Sequence, residues 1–194
     1  KFNNMKALKK SINRNTAAIL IETIQGEGGI RPANLKFLKN VRKLCDNRKI
    51  LLFLDEIQCG FGRSGKLFSY QWANIKPDLM AVAKGIGSGF PMGACLVTEE
   101  ISKPMVLGSH GSTFGGNPLA ISVGDTVLNT ILQKNFLKNV DKISRYLWQE
   151  LIKLKESYSE ILEIRGAGLL LGIKTKRINT EINKLFDPKF LIKY

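Results

Sequence analysis

Two short apolar runs, each closed by a carboxylate and separated by one helical repeat, limit the folds open to this sequence. The first is TAAILIE, Thr16 to Glu22, and the second is ILLFLDE, Ile50 to Glu56. Each is too short for a core helix and lacks the polar alternation of a half-exposed strand, so each predicts a buried strand. Between them a glycine turn, GEGG at Gly26 to Gly29, is followed by Pro32. From Asn34 to Asp46, Leu35, Leu38, Val41 and Leu44 recur near a 3.6-residue period, which predicts a helix. Strand, helix and strand inside 40 residues make a βαβ unit, and with it an α/β fold on a mostly parallel sheet.

The pattern continues downstream. Asp78 to Lys84, DLMAVAK, predicts a third strand that runs into Gly85, Gly87 and Gly89, and Ala94 to Val97 predicts a fourth. His110 to Pro118, HGSTFGGNP, is a glycine loop. A helical pattern then extends from Pro118 to Glu156, with Leu128, Ile131, Val140, Ile143, Leu147 and Leu151 among its apolar positions. Glu160 to Lys174, EILEIRGAGLLLGIK, predicts strand, turn, strand. A domain change is expected within Val123 to Leu137, dividing the chain into residues 1–125 and 126–194, with the long helix as connector.

Composition excludes several classes. The longest apolar runs fall far short of the ~20 residues of a membrane helix, so no membrane partner is expected. Three cysteines without a CxxC and a single histidine, His110, argue against a zinc site, and no metal is expected. The odd, unpatterned thiol count points to a reducing compartment and a cytoplasmic protein. The net charge of +14 is uneven. Residues 1–50 carry 12 bases against 3 acids, residues 51–120 carry five of each, and the rest carry 13 against 8. A basic nucleic-acid-binding domain would use such charge. Yet only 8 of the 30 bases are Arg, the residue suited to bidentate phosphate contact, so a solvated lysine surface is expected and no nucleic acid. The neutral middle holds the glycine motifs, and a site is expected there.

Two phosphate-loop patterns in that middle mislead. Gly60 to Gly65, GFGRSG, fits GxGxxG, and with Lys66 it approaches GxxxxGK. Both patterns need a strand directly before and a helix directly after. Here Glu56 to Cys59 intervene, Leu67 stands where a magnesium-binding Ser or Thr belongs, and Pro77 soon breaks the following segment. Tight turns account for these glycines.

Asp55 and Lys84 are the better candidates. Each ends an apolar strand, and ligands in open α/β sheets bind beyond the carboxyl ends of the strands. A lysine there either reaches out to solvent or, with a lowered pKa, forms a Schiff base, and a carboxylate partner for a cofactor pyridinium would complete such a site.

Four motifs then carry a resemblance. ETIQGEGG at Glu22 to Gly29, LFLDEIQCGFGRSG at Leu52 to Gly65, AVAKGIGSGFPMGA at Ala81 to Ala94 and HGSTFGGNP at His110 to Pro118 resemble the class III pyridoxal-phosphate aminotransferases, in family order and spacing. The likeness is nearest to the acetylornithine branch of that family, and IRGAGLLLGI resembles its small-domain hairpin. It implies the fold-type I architecture, with part of the large αβα domain and part of the small C-terminal α+β domain. It implies pyridoxal 5'-phosphate as cofactor, an amino acid and a 2-oxo acid as substrates, and a homodimer.

Residue by residue, Lys84 matches the lysine that carries the cofactor covalently, and Asp55 the carboxylate at its pyridinium nitrogen. Gln58 matches the neighbour of the ring's phenolic oxygen, while Glu56 and Ile57 complete the cofactor-lining DEIQ stretch. Thr113 matches the threonine that reaches the cofactor phosphate of the partner subunit. Ser112 matches a neighbour of the substrate, and Glu22 an acid on the substrate side. The implied reaction moves the terminal amino group of N-acetylornithine to 2-oxoglutarate, in arginine biosynthesis. Ornithine, succinyl-diaminopimelate and 4-aminobutyrate are the alternative donors. Thr23 stands where most members have proline, so a looser turn after Glu22 is expected, and Cys59 and Ser64 replace residues that are often Thr. The family's phosphate cup and substrate arginines have no counterpart here, so the chain is expected to be an internal part of a protein about twice as long, incomplete as an enzyme by itself.

Overall fold

In the computed structural model, which describes residues 1–176, the elements run α1 (Met5–Ser11), β1 (Ala18–Glu22), β2 (Ile24–Gln25), β3 (Arg31–Pro32), α2 (Leu35–Arg48), β4 (Leu51–Asp55), β5 (Leu79–Ala83), β6 (Gly93–Val97), α3 (Glu99–Ser102), α4 (Pro118–Ile131), α5 (Phe136–Ser157), β7 (Ile161–Ala167) and β8 (Leu170–Thr175). Short 3-10 turns occupy Ser69–Ala73 and Lys84–Ile86. The main sheet has the order β1-β4-β5-β6. β1, β4 and β5 are parallel, as the βαβ pattern requires, and β6 returns antiparallel to β5. Two small hairpins, β2–β3 and β7–β8, stand apart from it.

The βαβ unit folds for local reasons. Asn34 caps α2 by accepting from the Lys36 N–H at 2.8 Å. The helix ends where Lys49 takes the left-handed conformation, φ 53°, and the Ile50 N–H bonds back to the Cys45 carbonyl. The apolar face of α2 (Phe37, Leu38, Val41, Leu44) meets Ile19, Leu52 and Leu54 of the sheet. Burying each such side chain contributes about 1.5–3 kcal/mol. Asp78 clasps this layer to the next strand: its Oδ2 accepts from the Leu52 N–H at 2.7 Å and from Arg42 on α2 at 2.8 Å.

The continuous apolar runs predict strands buried on both faces. Among the described residues only the α2 face is covered, and Leu20 on the opposite face is 64% exposed. The single long helix expected from Pro118 to Glu156 is two helices, α4 and α5, parted at Leu132–Asn135, where Gln133, Lys134 and Asn135 interrupt the apolar stripe. The expected boundary at residue 125 falls inside α4. The second domain was expected to run to residue 194, and its residues 177–194 lie outside the described residues. Of the β2–β3 hairpin only the glycine turn is legible in the sequence, because strands of two residues carry no period, and α1 is not among the expected elements. Among the described residues, no helix is long and apolar enough to cross a membrane.

Candidate active site

Strand register sets the site. Glu22 on β1 lies opposite Asp55 on β4, and Asp55 opposite Ala81 on β5. Side chains alternate along a strand, so Glu22 and Asp55 project from the sheet face that α2 leaves open. Each carboxylate caps the turn that follows its own strand. Glu22 Oε2 accepts from the Gly26 N–H at 2.8 Å, and Asp55 Oδ1 from the Ile57 N–H at 2.9 Å. Among the described residues Asp55 Oδ2 has no hydrogen-bond partner. The two carboxylates line one cavity of about 520 Å³ at the β1 side, with Gln25 and Phe2.

Lys84 follows β5 directly, three residues beyond the partner of Asp55. With strands ~4.8 Å apart and ~3.3 Å of rise per residue, the two Cα atoms stand roughly 11 Å apart. Lys84 is exposed and its backbone is left-handed, φ 46°. A non-glycine residue rarely adopts that region, and where one does, the surrounding structure holds it there. Lys84 lines a cavity of about 810 Å³ with Phe61, Phe90 and Met92, and a second of about 330 Å³ with Gln58 and Leu169. Gln58 Oε1 is buried with no hydrogen-bond partner. It presses on Gly26 so closely that a Cβ there would sit 1.6 Å from it.

The structure therefore brings together Glu22 with Asp55, and Gln58 with Lys84, at the carboxyl ends of adjacent strands. Asp55 and Lys84 line different ones of these cavities. Ile57 contributes its backbone N–H to Asp55. Ser112 and Thr113 lie in an exposed loop and line none of these three cavities.

Glu56 departs from its expected place as a lining residue. It is fully buried, 0% exposed, and faces away from the crevice. Its Oε1 accepts from Ser69 Oγ at 2.7 Å and the Tyr70 N–H at 2.9 Å, and its Oε2 from the Ser69 N–H at 2.9 Å. The cause is the period-two alternation of an extended chain, which turns the neighbour of Asp55 to the other side. Cys59 Sγ lies 3.3 Å from Glu56 Oε2, and Thr23 Oγ1 lies 3.2 Å from Cys59 Sγ and in close contact with Ser69 Oγ. The turn after Glu22 is thus tied down through Thr23 rather than loosened by the lack of proline. Burial, and then the adjacent Glu56, push the Cys59 thiol up to about 11. Ser69 and Tyr70 had no sequence signal, because a partner 13 residues away in a loop leaves no periodicity.

The GFGRSG loop is not a phosphate cradle. Its Gly62, Arg63 and Gly65 N–H groups donate to carbonyls of the same loop region, those of Leu67, Gly60 and Gly62. The loop instead receives the β7–β8 turn, whose Leu169 N–H donates to the Arg63 carbonyl at 2.9 Å.

Comparison with known proteins adds independent findings. The family described as aminotransferase class-III matches residues 1–190. The acetylornithine aminotransferase of Mesorhizobium japonicum is 48% identical over 192 residues, which are 98% of this chain and 48% of that protein. That of Agrobacterium fabrum is 51% identical over 192 residues, with the same coverage. Among solved structures, the acetylornithine aminotransferase of Elizabethkingia anophelis superposes with a TM-score of 0.88 at 33% identity, covering 95% of this chain and 47% of that one. The Plasmodium yoelii ornithine aminotransferase gives a TM-score of 0.88 at 31% identity, covering 95% and 50%. The chain spans about half the length of the curated relatives it matches.

Proposed function

Because this chain belongs to the class-III aminotransferase family, we propose that it supplies the lysine, carboxylate and carboxamide of a pyridoxal 5'-phosphate site. We propose further that the complete protein transfers the terminal amino group of N-acetylornithine to 2-oxoglutarate in the cytoplasm. The observation that carries this reading is the placement of Lys84 and Asp55 at the carboxyl ends of adjacent parallel strands. The side chains suit the group: Asp55 keeps one oxygen free, and the half-buried Gln58 holds its carboxamide oxygen unpaired.

When bound, pyridoxal phosphate supplies an electron sink for the charge left as a proton leaves the substrate carbon bearing the amine. Asp55 Oδ2 would accept from the ring N–H and keep that nitrogen protonated, since an opposite charge favours the charged form. Gln58 would face the phenolic oxygen. Lys84 Nζ would hold the cofactor, and once free would serve as general base and then acid. Glu22 would stand on the substrate side. Thr113 would reach the cofactor phosphate of a second copy of the chain in a homodimer, and Ser112 would stand near substrate. Residues 1–125 would belong to the large cofactor domain and 126–194 to the connector and small domain.

The test takes the complete protein with pyridoxal phosphate and a panel of donors: N-acetylornithine, ornithine, succinyl-diaminopimelate and 4-aminobutyrate. We expect a coloured holoenzyme and the highest kcat/KM with N-acetylornithine. Replacing Lys84 by Ala should abolish covalent retention of the cofactor and lower turnover by on the order of 10²–10⁴. A colourless wild type, or a Lys84→Ala variant that keeps its bound chromophore through denaturation, overturns the reading. A higher kcat/KM with another donor replaces the substrate and leaves the chemistry.

A further inference from the structure

Three candidate site residues are each followed by a residue of one buried polar cluster. Thr23 follows Glu22, Glu56 follows Asp55 and Cys59 follows Gln58. Glu22, Asp55 and Gln58 line cavities, whereas Thr23, Glu56 and Cys59 are 3%, 0% and 1% exposed. All three of the buried residues converge on Ser69, which opens the 3-10 turn Ser69–Ala73 and is itself buried.

We infer that Glu56 is a positioning residue, the centre of a buried knot with Ser69, Thr23 and Cys59 that sets the directions of Glu22, Asp55 and Gln58. The inference rests on the cofactor site proposed above. The bonding is directional. Ser69 donates its hydroxyl proton to Glu56 Oε1, so Thr23 must donate to Ser69 Oγ, which leaves each hydroxyl proton on an acceptor. Both Glu56 oxygens are filled by Ser69 and Tyr70, so Glu56 has no acceptor left over for a ligand in the crevice. Its backbone is fixed as well: the Glu56 N–H donates to the Ala81 carbonyl on β5, and its carbonyl accepts from the Gly60 N–H, both at 2.9 Å. Residue 60 has to be glycine for this, because a Cβ would lie 2.7 Å from the Glu56 oxygen.

Only a carboxylate satisfies this pocket. The three donors on Glu56 from Ser69 and Tyr70 need acceptors on both oxygens. A carboxamide of the same shape puts an NH2 group where Oε2 accepts from the Ser69 N–H, and a buried donor left facing a donor loses its partner outright. The knot would then reopen around Thr23 and Cys59, and the adjoining residues would lose their aim. Misplacement of about an ångström at a reacting group is enough to cost about 10²-fold.

The experiment uses the complete holoenzyme with Glu56→Gln, Ser69→Ala and, as control, Val41→Ala in the fully buried face of α2. Three quantities are measured: melting temperature, the dissociation constant for pyridoxal phosphate, and the pH at which the bound cofactor's visible absorption titrates. We expect Glu56→Gln to weaken cofactor binding at least about tenfold and to move that titration. Ser69→Ala should do the same to a smaller extent. Val41→Ala should lower the melting temperature and leave binding and titration as in the wild type. If Glu56→Gln does not fold, Ser69→Ala decides. Wild-type affinity and titration in the folded knot variants, or equal shifts in Val41→Ala, overturn the inference. A wild type that takes up no cofactor overturns instead the functional reading, and this inference with it.

Discussion

Lys84 stands in a left-handed backbone that costs an ordinary L-residue about 1–2 kcal/mol. Six other non-glycine residues share that region, so it is the position of Lys84 at the cavity-lining end of β5, and not the strain alone, that points toward function. Cys45 and Cys59 show the opposite condition, groups kept inert by their surroundings. Burial pushes both thiols up to about 11 from an ordinary value of 9.0. For Cys45 the nearby Arg42 works against that shift, and for Cys59 the Glu56 carboxylate adds to it. The folded state therefore holds both as S–H. Their contribution to stability is whole below pH 9 and is lost as pH climbs toward about 11. Neither thiol should react with iodoacetamide at pH 8 until the protein is unfolded, and denaturation midpoints should fall between pH 9 and 11. Peptide mass mapping of folded and unfolded samples checks the first, and denaturant titrations across that range check the second. Rapid native-state modification of Cys59 would remove the closed knot.

At the scale of elements, the clasp between α2, β4 and β5 invites a direct test. Asp78 Oδ2 accepts from Leu52 N–H and Arg42 together, and Arg42 also pairs with Asp46 at 2.7 Å. Asp78→Ala leaves the Leu52 N–H without its acceptor, while Arg42 keeps Asp46 and the Lys76 carbonyl, so a loss of about 1–3 kcal/mol, set mainly by the orphaned backbone donor, is expected in a denaturant melt. A loss no larger than that of a surface substitution would mean water replaces the acceptor. The βαβ unit was legible because its signals are local: an apolar run, a cap and a 3.6-residue period. Asp55 and Lys84 were legible as strand-end charges, since an ionisable group closing a buried strand is conspicuous in one dimension. Glu56 departs from the lining that the contiguous DEIQ stretch suggests, because alternation alone sends its second member away from the crevice. The break between α4 and α5 was missed because apolar residues resume beyond Leu132–Asn135 on nearly the same period. Ser69 could not be found, since its partners lie 13 and 46 residues away.

For the whole molecule, the unburied surface is as informative as the core. The loop and helix start from Met105 to Ile121 expose Val106, Leu107, Phe114, Leu119 and Ile121, at 66%, 104%, 81%, 62% and 56%. Ser112 and Thr113 sit within this stretch. Scattered exposed apolar residues are ordinary, but five of them within 17 positions of the sequence make this stretch a candidate for coverage by another surface. The net charge of +14 does not explain it, because residues 105–121 carry no Lys, Arg, Asp or Glu and so add nothing to that excess. On the proposed homodimer, the second copy covers the stretch and the same contact delivers Thr113 to the partner's phosphate, so association and cofactor retention should fail together. Phe114→Asp in the complete protein is expected to shift the sedimentation coefficient from dimer toward monomer and to raise the cofactor dissociation constant at least about tenfold, since the buried charge has no partner. Thr113→Val separates the two effects, keeping the dimer while weakening the cofactor. A wild type that sediments as a monomer yet retains its cofactor, or a Phe114→Asp variant that remains a dimer of unchanged affinity, would defeat this account of the exposed stretch.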